Sequence, residues 1–173
     1  IYNPDKILKT RIKEAKEILN QIPTKHCFIT GSFLFEEKYK DIDIFVITRS
    51  KKELKVANKK AKITIIDFND LHSLFFHSIS KTCVSKDILP TKDLKVTLSD
   101  FWQVINETVP TLFNNKRNFQ KDIRFLTLYI EYFQNKYILD SRELKNKTKK
   151  FRTYTQILKY IQELTPEIFN KHA

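Results

Sequence analysis

Two aspartates one residue apart, Asp41 and Asp43, open the apolar run Ile42, Ile44, Phe45, Val46, Ile47. A strand over Asp41 to Val46 puts both carboxylates on one face, because side chains alternate with a period of two. Two such charges repel unless a cation sits between them. Upstream stands Gly31-Ser32, with the only glycine of the 173 residues. A residue without Cβ lets backbone approach a ligand closely. A second apolar run, Lys62 to Phe68, carries Asp67. It reads as a neighbouring strand and is expected to bring Asp67 beside the first pair. Three carboxylates next to a glycine-serine turn suit Mg²⁺, with Mn²⁺ as a substitute, and a phosphate. They can hold the two ions that clamp an in-line phosphoryl or nucleotidyl displacement. The blander alternative is a common Gly-Ser turn and a soluble strand start.

Glycine, serine, a spacer, Asp-x-Asp and a later strand-borne aspartate together resemble the nucleotidyltransferase superfamily that includes DNA polymerase beta. The resemblance spans Ile29 to Phe68. It implies that Gly31 and Ser32 hold the triphosphate of a nucleoside triphosphate, and that Asp41 and Asp43 are the first two metal ligands. It implies that Asp67 is the third carboxylate, ligating the catalytic metal and helping to activate the acceptor hydroxyl. Relatives often carry an arginine and a second glycine after the serine, and a serine before the first aspartate. Here Phe33 to Glu37 and Lys40 stand in those places.

The elements that must position these residues follow from apolar spacing. Lys6 to Gln21 repeats Ile7, Leu8, Ile12, Ala15, Ile18 and Leu19 at helical intervals, with a basic opposite face. The helix is expected to stop near Pro23 and to cover one side of a sheet. Strands are predicted at His26 to Thr30, Asp41 to Thr48 and Ala61 to Phe68, with one short helical turn over Phe33 to Glu37. Ser50 and Glu53 form a capping box, which predicts a helix over Lys51 to Lys60. Another helix is expected over Leu71 to Ile79, then a loop with a short extended piece at Cys83-Val84 or at Leu94 to Leu98. The predicted fold is α+β: a small mixed sheet with covering helices over 1–95, followed by a helical region over 96–173. By resemblance the first part is a polymerase beta-like nucleotidyltransferase core.

In the second part, Ser99 is expected to cap a helix that Pro110 ends, with Trp102 in the core. Phe119 to Tyr137 places Ile123, Leu126, Ile130 and Phe133 on one stripe. In relatives this region supplies a basic residue and sometimes an aromatic to the nucleotide. The resemblance therefore points to Lys121 or Arg124 for phosphate and to Tyr129 for stacking, against ordinary helix packing. Lys145, Lys147, Lys149, Lys150 and Arg152 put five basic residues in eight, able to grip a nucleic-acid backbone or simply to line an exposed loop. Thr155 to Leu164 resumes helical spacing.

The 41% hydrophobic content, 14 Phe and 7 Tyr suit a folded core rather than a linker. The formal charge of +12 favours a polyanionic partner. No membrane-length apolar run appears in the sequence, and no secretory signal is expected. Cys27 and Cys83 match no zinc spacing; with the four histidines they read as a reducing, cytoplasmic setting. The expected activity is metal-dependent transfer of a nucleoside monophosphate from a triphosphate to an acceptor, an RNA end such as that of transfer RNA being favoured by the charge. Two alternatives remain open. One is a non-catalytic basic nucleic-acid-binding module on the same scaffold. The other is a protein-modifying or antitoxin component of a toxin–antitoxin pair with a partner protein.

Overall fold

The computed structural model describes residues 1–49, 53–114 and 119–172. The chain forms two compact units. Unit 1 comprises Ile1–Leu94 and Asp140–Arg142; unit 2 comprises Lys95–Leu139 and Glu143–Ala173.

Unit 1 is built on a four-stranded mixed sheet of order β3-β2-β1-β4. Its strands are β1 (Cys27–Thr30), β2 (Ile42–Ile47), β3 (Ala61–Ile66) and β4 (Val84–Ser85). β1 runs antiparallel to both β2 and β4, whereas β2 and β3 are parallel. Alternation divides the sheet into two buried faces. Cys27, Ile29, Ile42, Ile44, Val46 and Val84 pack with Ala15, Ile18 and Leu19 of α1 (Lys9–Asn20) and with Phe33 and Leu34 of α2 (Ser32–Phe35). Phe28, Phe45 and Ile47 pack on the other face with Phe76 and Ile79 of α3 (Leu74–Ser80). Phe28 stacks on Phe45 at 5.4 Å and meets Phe76 edge-on at 6.1 Å.

The predicted helix over Lys51 to Lys60 is corrected. Residues 53–60 are irregular, and the cap at Ser50 lies outside the described residues. Leu54 and Val56 still pack against the α1-side core, so apolar burial is met without helical backbone. A 3-10 turn over Phe68–Asp70 follows β3, and the Asp67 carboxylate caps it by accepting from Asn69 N at 2.8 Å. The extended piece expected after α3 is β4, at Val84–Ser85.

Residues 140–142 return to unit 1. Asp140, 1% exposed, accepts from Thr82 Oγ1 at 2.8 Å and from Lys6 Nζ at 3.1 Å. A carboxylate so deeply buried is tolerable only when paired and hydrogen-bonded. Asn3 Nδ2 donates to Thr82 Oγ1, and Tyr2 bridges Cys83, so the N-terminal segment is fastened at the β4 side.

Unit 2 is helical, with α4 (Leu98–Asn114), α5 (Phe119–Asn135), α6 (Ser141–Thr148, whose first two residues belong to unit 1) and α7 (Tyr154–His172). Thr97, not Ser99, begins α4: Thr97 N donates to Asp100 Oδ2 and Asp100 N to Thr97 Oγ1, a reciprocal box. Pro110 does not end α4, which continues to Asn114. Proline removes one N–H from a helix interior, and the buried stripe Phe101, Val104, Ile105 and Thr108 outweighs that loss. Trp102 is corrected as well: it is 54% exposed, one residue off that stripe, while Phe101 is fully buried. Phe101 stacks with Phe133 at 5.3 Å and Phe169 at 5.4 Å. On α5 the stripe Ile123, Leu126, Ile130 and Phe133 is buried.

Both thiols are free and buried. Burial pushes Cys27 from the ordinary 9.0 up to about 11 and Cys83 up to about 12. The folded chain therefore holds these protons more tightly than the unfolded chain. The stabilisation is complete below about pH 9 and is expected to be lost as pH rises through about 11 for Cys27 and about 12 for Cys83. Denaturation midpoints across that window will show the loss, and a thiol reagent at pH 8 should label native protein far more slowly than urea-unfolded protein.

Candidate functional site at the end of the β1–β2 hairpin

Gly31 follows β1 with φ +90° and ψ −164°, a combination almost confined to glycine. A Cβ at Gly31 would lie 2.9 Å from Asp43 Oδ2. The Asp43 carboxylate thus occupies the space that any other side chain at 31 would fill. Thr30 and Asp43 are register partners on adjacent strands. Asp41 immediately precedes β2 and is exposed; Asp43 is half-buried; Ile42 between them is fully buried on the opposite face. The structure therefore gathers Gly31, Ser32, Asp43 and Asp41 at one end of the hairpin.

The spacer between glycine and aspartates is held from both sides. Arg11 of α1 places its guanidinium 4.5 Å from the Tyr39 ring centre and 4.9 Å from that of Phe33, and it donates to the Glu37 carbonyl at 2.9 Å. Lys60 Nζ lies 4.6 Å over the same Tyr39 ring. Phe33 meets Tyr39 edge-on at 4.9 Å. A ring face attracts a cation through its quadrupole, so Tyr39, flanked by Arg11 and Lys60, ties the spacer to α1 and to the approach to β3. None of these partners shows in a one-dimensional pattern; the exception is the basic face of α1, which hinted at Arg11.

Asp67 is the correction that matters most. The parallel register aligns Asp43 with Lys62 and Ile47 with Ile66. Asp67 therefore stands past the far end of β3, five residues beyond Lys62, or about 16 Å along the strand at ~3.3 Å per residue. Its carboxylate is used to cap the following turn. The residue beside Asp43 on the same face is the exposed Lys62. Among the described residues, no group of three or more His, Cys, Asp or Glu is placed to hold a metal ion. Asp41 and Asp43 are the two carboxylates left at this end of the hairpin. Hard oxygen donors of this kind suit Mg²⁺, which takes one or two carboxylates and fills its remaining positions with water and phosphate oxygens.

Lys121, Arg124 and Tyr129 all belong to α5 in unit 2. Lys121 is exposed and Arg124 half-buried. Tyr129, 8% exposed, lies parallel to Phe101 and edge-on to Phe125 at 5.5 Å. Burial, with Asp100 and Glu107 adding to it, pushes its phenol up to about 12. Its ring is engaged in the unit 2 core, the ordinary packing role. Of the basic run, Lys145 and Lys147 lie on α6, and Lys147 pairs with Glu131. Lys149, Lys150 and Arg152 are exposed on the turn that follows. No described helix is long and apolar enough to cross a membrane. No family model, no curated protein and no solved structure matches the chain.

Two outcomes test this geometry. Gly31→Ala should destabilise unit 1 by about 1–3 kcal/mol, from backbone strain and displacement of Asp43, read as a lowered urea midpoint. Lys62→Asp should place a third carboxylate beside Asp43 and raise Mn²⁺ affinity in calorimetry. No gain in affinity from that variant would count against Asp41 and Asp43 as a metal site.

Proposed function

We propose that unit 1 has a polymerase beta-like nucleotidyltransferase core and moves a nucleoside monophosphate from a triphosphate to an acceptor hydroxyl, with an RNA end as the acceptor. The observation that carries this reading is the Asp43 carboxylate set against the side-chain-free Gly31, with Asp41 two residues away. A pair of acids beside a glycine-serine turn is suited to a metal-bound polyphosphate. When bound, Mg²⁺ neutralises phosphate charge and polarises the phosphoryl group.

In this reading Asp41 and Asp43 hold the cation, and the Gly31-Ser32 turn lies against the phosphates. Lys62 adds a positive charge beside Asp43, where it can meet a phosphate oxygen. The acceptor oxygen attacks the α-phosphorus in line. The bond to the bridging oxygen breaks and pyrophosphate leaves. Asp67 takes no part, so the acceptor proton passes to solvent rather than to a third carboxylate.

Lys62 also favours a second reading. A basic residue in register with Asp43 places positive charge on the neighbouring strand, and a scaffold that binds nucleotide or nucleic acid without turnover would need no more. Labelled nucleoside triphosphates incubated with Mg²⁺ and total RNA or total protein separate the two. Label is expected in RNA. Asp41→Asn and Asp43→Asn should each cut it by about a hundredfold or more, whereas Asp67→Asn should leave it near the wild-type level. Loss of transfer in Asp67→Asn would restore the three-carboxylate site. Nucleotide binding with no label in any acceptor would establish the non-catalytic reading.

A further inference from the structure

Three of the five cations of the 145–152 run lie on a well-fixed turn in unit 2. Lys149, Lys150 and Arg152 are exposed, yet the backbone around them is pinned. Thr153 and Gln156 cap α7 reciprocally, with Thr153 N donating to Gln156 Oε1 and Gln156 N to Thr153 Oγ1. Arg152 N also donates to Gln156 Oε1 at 2.9 Å. Gln120 Nε2 donates to the Phe151 carbonyl at 2.7 Å, and the Phe151 side chain is buried. Cations on an ordered turn lose less freedom on meeting a ligand than cations on a loose one.

Beside this turn lies an open cavity of about 300 Å³, lined by Lys150, Phe151, Gln156, Lys159, Tyr160 and Glu163. Two of its walls are aromatic: the Phe151 and Tyr160 ring centres are 5.0 Å apart. Lys150 Nζ stands 5.2 Å over Phe151 and 6.0 Å over Tyr160. Glu163 is the one acid in the lining, and it pairs with Lys159 at 4.0 Å with both side chains solvent-exposed. An aromatic recess rimmed by cations is the arrangement that takes a base on its ring and the flanking phosphates on its rim.

We infer that the recess beside the 149–152 turn seats one base of a single-stranded nucleic acid, with Tyr160 as the stacking ring and Lys149, Lys150 and Arg152 on adjacent phosphates. Lys150 hovers over the rings on a flexible four-carbon stem. It can swing to a phosphate as the base takes its place on Tyr160. Lys147, held by Glu131, is left out of the grip. The inference deepens the acceptor half of the proposed function, and it can hold or fail independently of chemistry at Asp43.

The test is binding of a labelled oligouridylate of about ten nucleotides, followed by fluorescence anisotropy without nucleotide and with chelator, so that unit 1 chemistry does not enter. An abasic strand of the same length and an acidic peptide serve as competitors. The base-bearing strand is expected to bind most tightly. Tyr160→Ala should weaken it about five- to a hundredfold, and Tyr160→Phe should retain it. The double variant Lys149→Ala/Arg152→Ala, at exposed positions, should keep its melting temperature and reduce the salt dependence by about two counterions. Equal binding of the abasic strand, equal competition by the acidic peptide, or an unchanged salt slope in the double variant would each overturn the inference.

Discussion

The Asp43 carboxylate fills the space where position 31 has no side chain. The φ of +90° makes glycine at 31 a conformational requirement of the fold, and a Cβ there would also displace the Asp43 carboxylate. The contact joins the end of β1 to the start of β2, so the turn and the first acidic residue of the strand form one object. Arg11, Tyr39 and Lys60 then hold the intervening spacer in place. A glycine-serine turn and two acids are thereby presented together, and the chemistry proposed for unit 1 depends on that presentation.

Local patterns carried much of the fold. The alternating run after Asp41, the helical spacing in α1 and the stripe on α5 each reflect burial of one face, which a sequence records directly. The grouping of Gly31 with Asp43 was also legible, because residues at the two ends of a short antiparallel connection must meet. The position of Asp67 was not legible. Whether β3 runs parallel or antiparallel to β2 depends on the long connection between them, and no local signal sets the register across such a span. An antiparallel β3 would have turned Asp67 towards Asp43; the parallel one turns Lys62 there instead.

Other misreadings share a cause. The capping box at Ser50 and Glu53 is a propensity, and burial of Leu54 and Val56 was met by irregular backbone. Pro110 disfavours helix, and core packing outweighed it. Trp102 was assigned to the core by its side chain, whereas the angle around the helix left it exposed and buried Phe101 instead. In unit 2 the charge of the 145–152 run was evident from composition. Which cations are spent internally was not, because Lys147 meets an acid 16 residues upstream.

The Lys6–Asp140 ion pair joins residues 134 positions apart. A chain made from its N-terminus outward carries Lys6, Thr82 and the whole sheet well before Asp140 exists. During synthesis the α/β unit must therefore wait for its last three residues, with most of the helical unit's chain already threaded between. Contacts of such long sequence separation form late and slowly. The nascent sheet would spend that interval without its buried acid, so early termination past residue 94 would yield a loosened, protease-sensitive product rather than a finished domain.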